Sequence, residues 1–157
     1  MQKQGEKMKY LILIVFVLIV SCSENESCDQ NNIKLVEKYY ESVNSGDVSN
    51  AKEIVTESFS KINNDKIFDE TGTQLFLNSV KNHQQDNKEY KFIIEDIFGN
   101  DDKVSVRWSW KSINIKSGIE KKITSQGIAI FEIRNHKINK LWQCFDLLGF
   151  TKQLSAN

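Results

Sequence analysis

Apolar residues recur at three- and four-residue steps through Ile33, Val36, Tyr40 and Val43, which predicts an amphipathic helix closed by Gly46 at its C-terminal cap. Asp47 or Ser49 can cap a second, short helix through Ala51, Ile54 and Val55 that ends near Phe59. Thr71 and Gln74 have the spacing of a capping box. After them Leu75, Phe76, Ser79, Val80 and His83 share one face of a third helix. Beyond Asn87 the period changes to two. Tyr90, Phe92 and Ile94 alternate with polar neighbours, Gly99-Asn100-Asp101-Asp102 reads as a turn, and Val104, Val106, Trp108 and Trp110 alternate with Ser105, Arg107, Ser109 and Lys111. Ile113 and Ile115 fall in the opposite phase, which predicts a bulge near Ser112. Two further strands are expected, from about Ile119 to Arg134 and from Lys137 to Asp146 after an Asn135-His136 turn. The expected architecture is α+β: three N-terminal helices packed on a curved, mainly antiparallel four-stranded sheet that encloses a cavity.

The first 21 residues follow a different pattern. Lys3, Lys7 and Lys9 precede an unbroken apolar run from Tyr10 to Val20. Eleven residues make a helix of roughly 16 Å, against about 30 Å of bilayer hydrocarbon, so the run matches an export signal rather than a span. Ile19-Val20-Ser21-Cys22 resembles the lipobox of bacterial lipoproteins. That resemblance implies a signal peptide over 1–21, palmitate-type acyl chains on Cys22, and a cell-envelope address. Ser23 after the cysteine places the outer membrane ahead of the inner one where a host has both. Residues 22–31 are polar and acidic without periodicity and read as a tether, leaving 32–157 as the domain.

The 157 residues carry 21 Lys plus Arg and 21 Asp plus Glu, with no proline and no block of five like charges. Loss of residues 1–21 would leave a net charge of −2. Nothing here builds the positive field that a nucleic-acid partner needs. There is no zinc-ligand spacing, no GxSxG, no phosphate loop and no dinucleotide fingerprint, so neither a metal nor another cofactor is expected. Cys28 and Cys144 remain beside Cys22, but one lies in the tether and the other in a strand, which argues against a disulfide.

Three strings carry a family resemblance: VEKYYESVNSGD from Val36 to Asp47, FIIEDIFGNDDKVSVRWSW from Phe92 to Trp110, and the stretch from Gly127 to Leu154 with Lys137-Ile138, Trp142, Asp146, Gly149 and Gln153-Leu154. Together they resemble the SnoaL-like polyketide cyclase group of the nuclear transport factor 2-like superfamily over about residues 32–154. The resemblance implies a cone fold, a homodimer formed through the sheet, and an acid/base aspartate that maps onto Asp146. The superfamily hosts cyclases, isomerases, dehydratases and non-catalytic binders, so fold alone leaves function open. The threonine-histidine pair usual in the cyclases is absent, since Lys111 to Gly118 contains no histidine.

On a regular strand Ile138, Trp142, Cys144 and Asp146 would share one face, putting the Asp146 carboxylate among apolar groups that raise its pKa toward the range of a general base. The alternative is that Asp146 caps the turn through Leu147-Leu148-Gly149. Trp108, Trp110, Trp142, Tyr90, Phe92 and Cys144 are the candidate cavity lining, although aromatic residues at such positions are core by default. Arg107 is a candidate anion anchor or a cross-strand ion pair; His83 can face the cavity mouth, and His136 lies in a turn. Two functions are expected: an envelope-anchored module that binds a small apolar or amphipathic ligand, or a cofactor-free isomerase, cyclase or hydrolase with Asp146 as general acid/base.

Overall fold

The computed structural model describes residues 29–116 and 118–156. The signal segment, Cys22 and Cys28 lie outside the described residues. Helix α1 covers residues 29–45, so 29–31, read from sequence as the end of the tether, belong to the helix. There follow α2 (Ala51–Ile54), β1 (Val55–Asn63), β2 (Lys66–Ile67), α3 (Gly72–Asp86), β3 (Asn87–Asn100), β4 (Lys103–Asn114), β5 (Lys121–Arg134), β6 (Lys137–Phe145) and α4 (Leu147–Ser155). Among the described residues no helix is long and apolar enough to cross a membrane.

The sheet has six strands in the order β2-β1-β6-β5-β4-β3, not the four expected, and the β1–β6 pair is parallel while the others are antiparallel. Nor do three helices precede the strands. The second helix stops after one turn, because Val55 onward pairs with β6 and extends the sheet. Phe59, Lys61 and Asn63 alternate with Ser58, Ser60 and Ile62, a period-two signal that the expected helix end obscured. The predicted caps also differ: Asp47 Oδ1 accepts from Ser49 N (2.9 Å) in a local turn, and neither Asn50 before α2 nor Thr71 before α3 makes a side-chain cap bond.

The concave face is covered by α1 and α3. Val36, Tyr39, Tyr40 and Val43 of α1 and Leu75, Phe76 and Val80 of α3 are buried against Val104, Val106, Trp108 and Phe131 of the sheet. The Tyr39 ring centroid lies 5.3 Å from Phe131 and that of Tyr40 5.8 Å, so one phenylalanine joins two helix residues to the sheet. The end of α1 is fastened by polar bonds: Asn44 Nδ2 donates to Phe92 O (2.9 Å), Phe92 N donates to Asn44 Oδ1 (2.7 Å), and Tyr90 OH donates to Val43 O (2.7 Å). Gly46, at φ +76°, then reverses the chain as the left-handed region allows glycine to do. Asn135 and His136 both take positive φ, as a two-residue hairpin of the right twist requires.

Two bulges on β3 and one on β6 set which residues face inward. β4 runs without a break against β5, with Val104 through Asn114 alternating strictly in burial, so the bulge expected near Ser112 is absent; Ile113 simply belongs to the outer face. The extra residues are Lys88 and Glu95 on β3 and Asn139 on β6. Thr56 Oγ1 (3.1 Å) and Ser58 Oγ (3.0 Å) donate to Asn139 Oδ1, while Asn139 Nδ2 donates to Glu132 Oε1 (3.0 Å), which pins that bulge.

Candidate functional site

The Asn139 bulge decides the site. Ile138 faces the core, but one extra residue reverses the phase, so Leu141, Gln143 and Phe145 point inward while Trp142 and Cys144 stand on the opposite face. The expected single face of Ile138, Trp142, Cys144 and Asp146 is therefore not formed. Trp142 lies under the Lys140 ammonium, 4.5 Å from Nζ to the ring centroid, and Cys144 is an exposed free thiol.

Inside the cone is a cavity of about 110 Å³. Its walls come from β1 (Lys61, Asn63), α3 (His83), β3 (Phe92), β4 (Trp108, Trp110), β5 (Ser125), β6 (Gln143, Phe145) and α4 (Phe150). Phe150 closes one side, its ring 5.8 Å from Trp110 and 6.0 Å from Phe145. Gln153 docks that helix on β5, with Oε1 accepting from Thr124 N (2.9 Å) and Nε2 donating to Thr124 O (2.9 Å). A second hollow of about 220 Å³ adjoins it, sharing Lys61, Asn63, His83, Trp110 and Phe150 and opening toward Asp86.

Three of the expected lining residues, Phe92, Trp108 and Trp110, are brought together here. Tyr90 stands behind them with its ring 5.8 Å from His83 and its hydroxyl given to Val43, and burial raises its pKa. Asp146 is exposed and does not line this cavity: its Oδ1 accepts from Gly149 N (2.8 Å) at the N-cap of α4, and it borders a third hollow, of about 370 Å³, that shares Trp110, Ser125 and Phe150 with the cavity. Arg107 Nε donates to Asp96 Oδ2 (2.6 Å) across the strands, the ion-pair alternative, and both side chains are exposed. His136 is exposed in its turn.

The periodicity argument missed Lys61, Asn63, Ser125, Gln143, Phe145 and Phe150. Lys61 is the most consequential. It is only 6% exposed, and desolvation pushes its pKa down to about 8. Among the described residues it has no acidic partner, only the Phe68 ring at 5.8 Å. His83 is pushed down to about 4, first by desolvation, then by the Lys61 charge, with Asp86 opposing. The imidazole is thus neutral at physiological pH. Asn63 Oδ1, Trp108 Nε1, Trp110 Nε1 and Ser125 Oγ are buried on lining residues without a hydrogen-bond partner. Groups of this kind normally find a partner, so their orphaning at a cavity points to a guest or to water. Among the described residues no three His, Cys, Asp or Glu side chains converge as metal ligands.

The comparisons agree with this architecture. A family model described as SnoaL-like polyketide cyclase matches residues 33–154. Among solved structures, a candidate polyketide cyclase from Bacillus cereus is 24% identical with a TM-score of 0.67, covering 79% of this chain and 80% of that one. An epoxide hydrolase of the LEH-like kind from M. tuberculosis is 14% identical (TM-score 0.67; 80% of this chain, 90% of that one). TsrD from Streptomyces laurentii is 20% identical (TM-score 0.68; 79% and 94%). These likenesses show the fold, and no curated protein sequence matches. With the family model spanning nearly all of the folded domain, the chain belongs to the SnoaL-like polyketide cyclase family.

Proposed function

We propose that this protein is a lipid-anchored envelope module whose cone binds a small amphipathic molecule. The observation that carries the reading is the cavity itself: aromatic walls with a few buried, unpartnered polar groups are the usual makeup of a small-molecule site. The lipobox at Cys22 supports the anchor, and several acyl chains on one cysteine hold firmly where a single chain is marginal.

The catalytic alternative has less support at its expected residue. Asp146 is engaged in a helix cap and borders the neighbouring hollow rather than the cavity itself, and a general base must reach the proton it removes. His83 does line the cavity, but with a pKa of about 4 it is a weak base at neutral pH. Binding therefore ranks ahead of catalysis.

The sheet's outer face supports a homodimer. Ile128 (58% exposed) pairs across strands with Cys144, and Ile130 (38% exposed) with Trp142, which makes an apolar strip.

Native mass spectrometry of the domain from residue 29 tests the central claim. Among the described residues the buried core runs from Val36 to Leu141, and the side chains packed against it, from Ile33 to Leu154, also lie inside this piece. A retained or added small molecule that leaves on denaturation is expected. Failure to hold any small apolar or amphipathic probe at millimolar concentration would reject the binding reading.

A further inference from the structure

The cavity's charge and donor inventory says more about its guest. Resting on the binding reading above, we propose that the guest is a small apolar monocarboxylate, with the Lys61 ammonium as its counter-ion and the Trp108 and Trp110 indole N–H groups as further donors.

The argument is one of unmatched chemistry. Lys61 is buried, and among the described residues no Asp or Glu lines the cavity beside it. Asp86, the acidic residue that lines the adjoining hollow together with Lys61, is bound by Lys116 at 2.9 Å. A cation withdrawn from water without a partner is costly unless something supplies the opposite charge. Both indole nitrogens can only donate, and neither has an acceptor. The cation, the two indole donors and the Ser125 hydroxyl suit one carboxylate, whose two oxygens accept several hydrogen bonds and carry a single charge, while the fourth orphaned atom, Asn63 Oδ1, accepts only and is left to a donor other than the guest's carboxylate. Phe92, Phe145 and Phe150 offer an apolar side for the body of the guest, beside the neutral polar groups of Asn63, His83, Ser125 and Gln143. Its size is limited: a cavity of roughly 150 Å³ accepts benzene, and about 110 Å³ beside a hollow of about 220 Å³ with five shared lining residues sets the scale at no more than a single ring or a short aliphatic chain.

The depressed lysine fits this assignment. With a pKa of about 8 the ammonium still predominates at neutral pH, and a bound anion favours that form. The other titratable groups near Lys61 are His83 and Asp86 on α3 and Lys66, which shares the Phe68 ring at 5.4 Å. His83 is neutral at pH 7, so it neither repels nor attracts the guest there.

Calorimetric titration of the domain from residue 29 with sodium benzoate and with benzamide, its neutral near-isostere, tests the inference. Benzoate is expected to bind at least tenfold more tightly than benzamide at pH 7. Lys61→Met, which keeps most of the length and apolar volume, is expected to abolish that preference. Trp110→Phe keeps an aromatic side chain, though a smaller one, and removes the indole N–H donor, and is expected to weaken benzoate more than benzamide. Equal binding of the two probes, or a preference that survives Lys61→Met in a protein with unchanged circular dichroism, overturns the carboxylate assignment and leaves the binding reading standing. Binding of neither probe, with an empty native mass spectrum, overturns both.

Discussion

Asp146 accepts a hydrogen bond from the backbone N–H of Gly149 at 2.8 Å, and this contact starts the helix that lays Phe150 over the cavity. The residue that family resemblance offers as an acid/base group therefore does structural work at the cavity's edge. Asp146→Ala should cost about 1 kcal/mol, the usual loss for an N-cap, and Asp146→Asn less. Neither should change benzamide affinity more than twofold. Chemical denaturation and calorimetry of both variants check this, and a selective loss of binding by Asp146→Asn in a fully stable protein would return the residue to the site.

Gly127 makes room for Trp108. The two residues are opposite each other on β5 and β4, and a Cβ at Gly127 would stand 2.5 Å from Trp108 Cζ2 and 2.4 Å from the Cys144 carbonyl oxygen. Gly127→Ala must push the indole or the backbone aside, an overpacking penalty of roughly 1–3 kcal/mol. Because Trp108 is a cavity wall, the variant should also show a shifted tryptophan emission spectrum and weaker probe binding.

The acid side of the stability profile should belong partly to His83. Its folded pKa, about 4, lies below the unfolded value of roughly 6.5, so the unfolded chain binds more protons between those values. Stability is full above pH 6.5 and falls as pH drops toward 4. The partly buried position suggests a loss on the order of 2 kcal/mol from this group. Denaturant unfolding between pH 4 and 7 should show a shallower slope for His83→Gln than for the parent. Lys61 acts in the same sense at alkaline pH: with a folded pKa of about 8 it makes the protein more stable as pH rises from 8 toward roughly 10.5.

Homodimerisation through the outer sheet face should be sensitive to charge on the apolar strip. Ile128→Lys, at a position already 58% exposed in one chain, should leave the fold intact and convert a dimer to a monomer in size-exclusion chromatography with light scattering. A parent that is monomeric at high concentration would remove this assignment.

Much of the fold was legible because its signals are local. Val36, Tyr40 and Val43 lie on one side of a helix at any register, Gly46 ends it by backbone freedom, and Val104 through Trp110 alternate because a strand has two faces. Phe92, Trp108 and Trp110 share an inward face for the same reason, whereas the expectation that this face lines a cavity came from the fold resemblance. What sequence could not reveal depends on pairing between distant segments. The Asn139 bulge exists only relative to β5 and the Thr56 and Ser58 hydroxyls, yet it turns Trp142 and Cys144 outward and Gln143 and Phe145 inward. Lys61 reads as a surface residue until β1 joins the parallel edge of β6 and closes it into the cone. Helix, turn and alternation come from each residue's own neighbours. The charge inside the cavity, and the face that each β6 side chain takes, were decided by tertiary register.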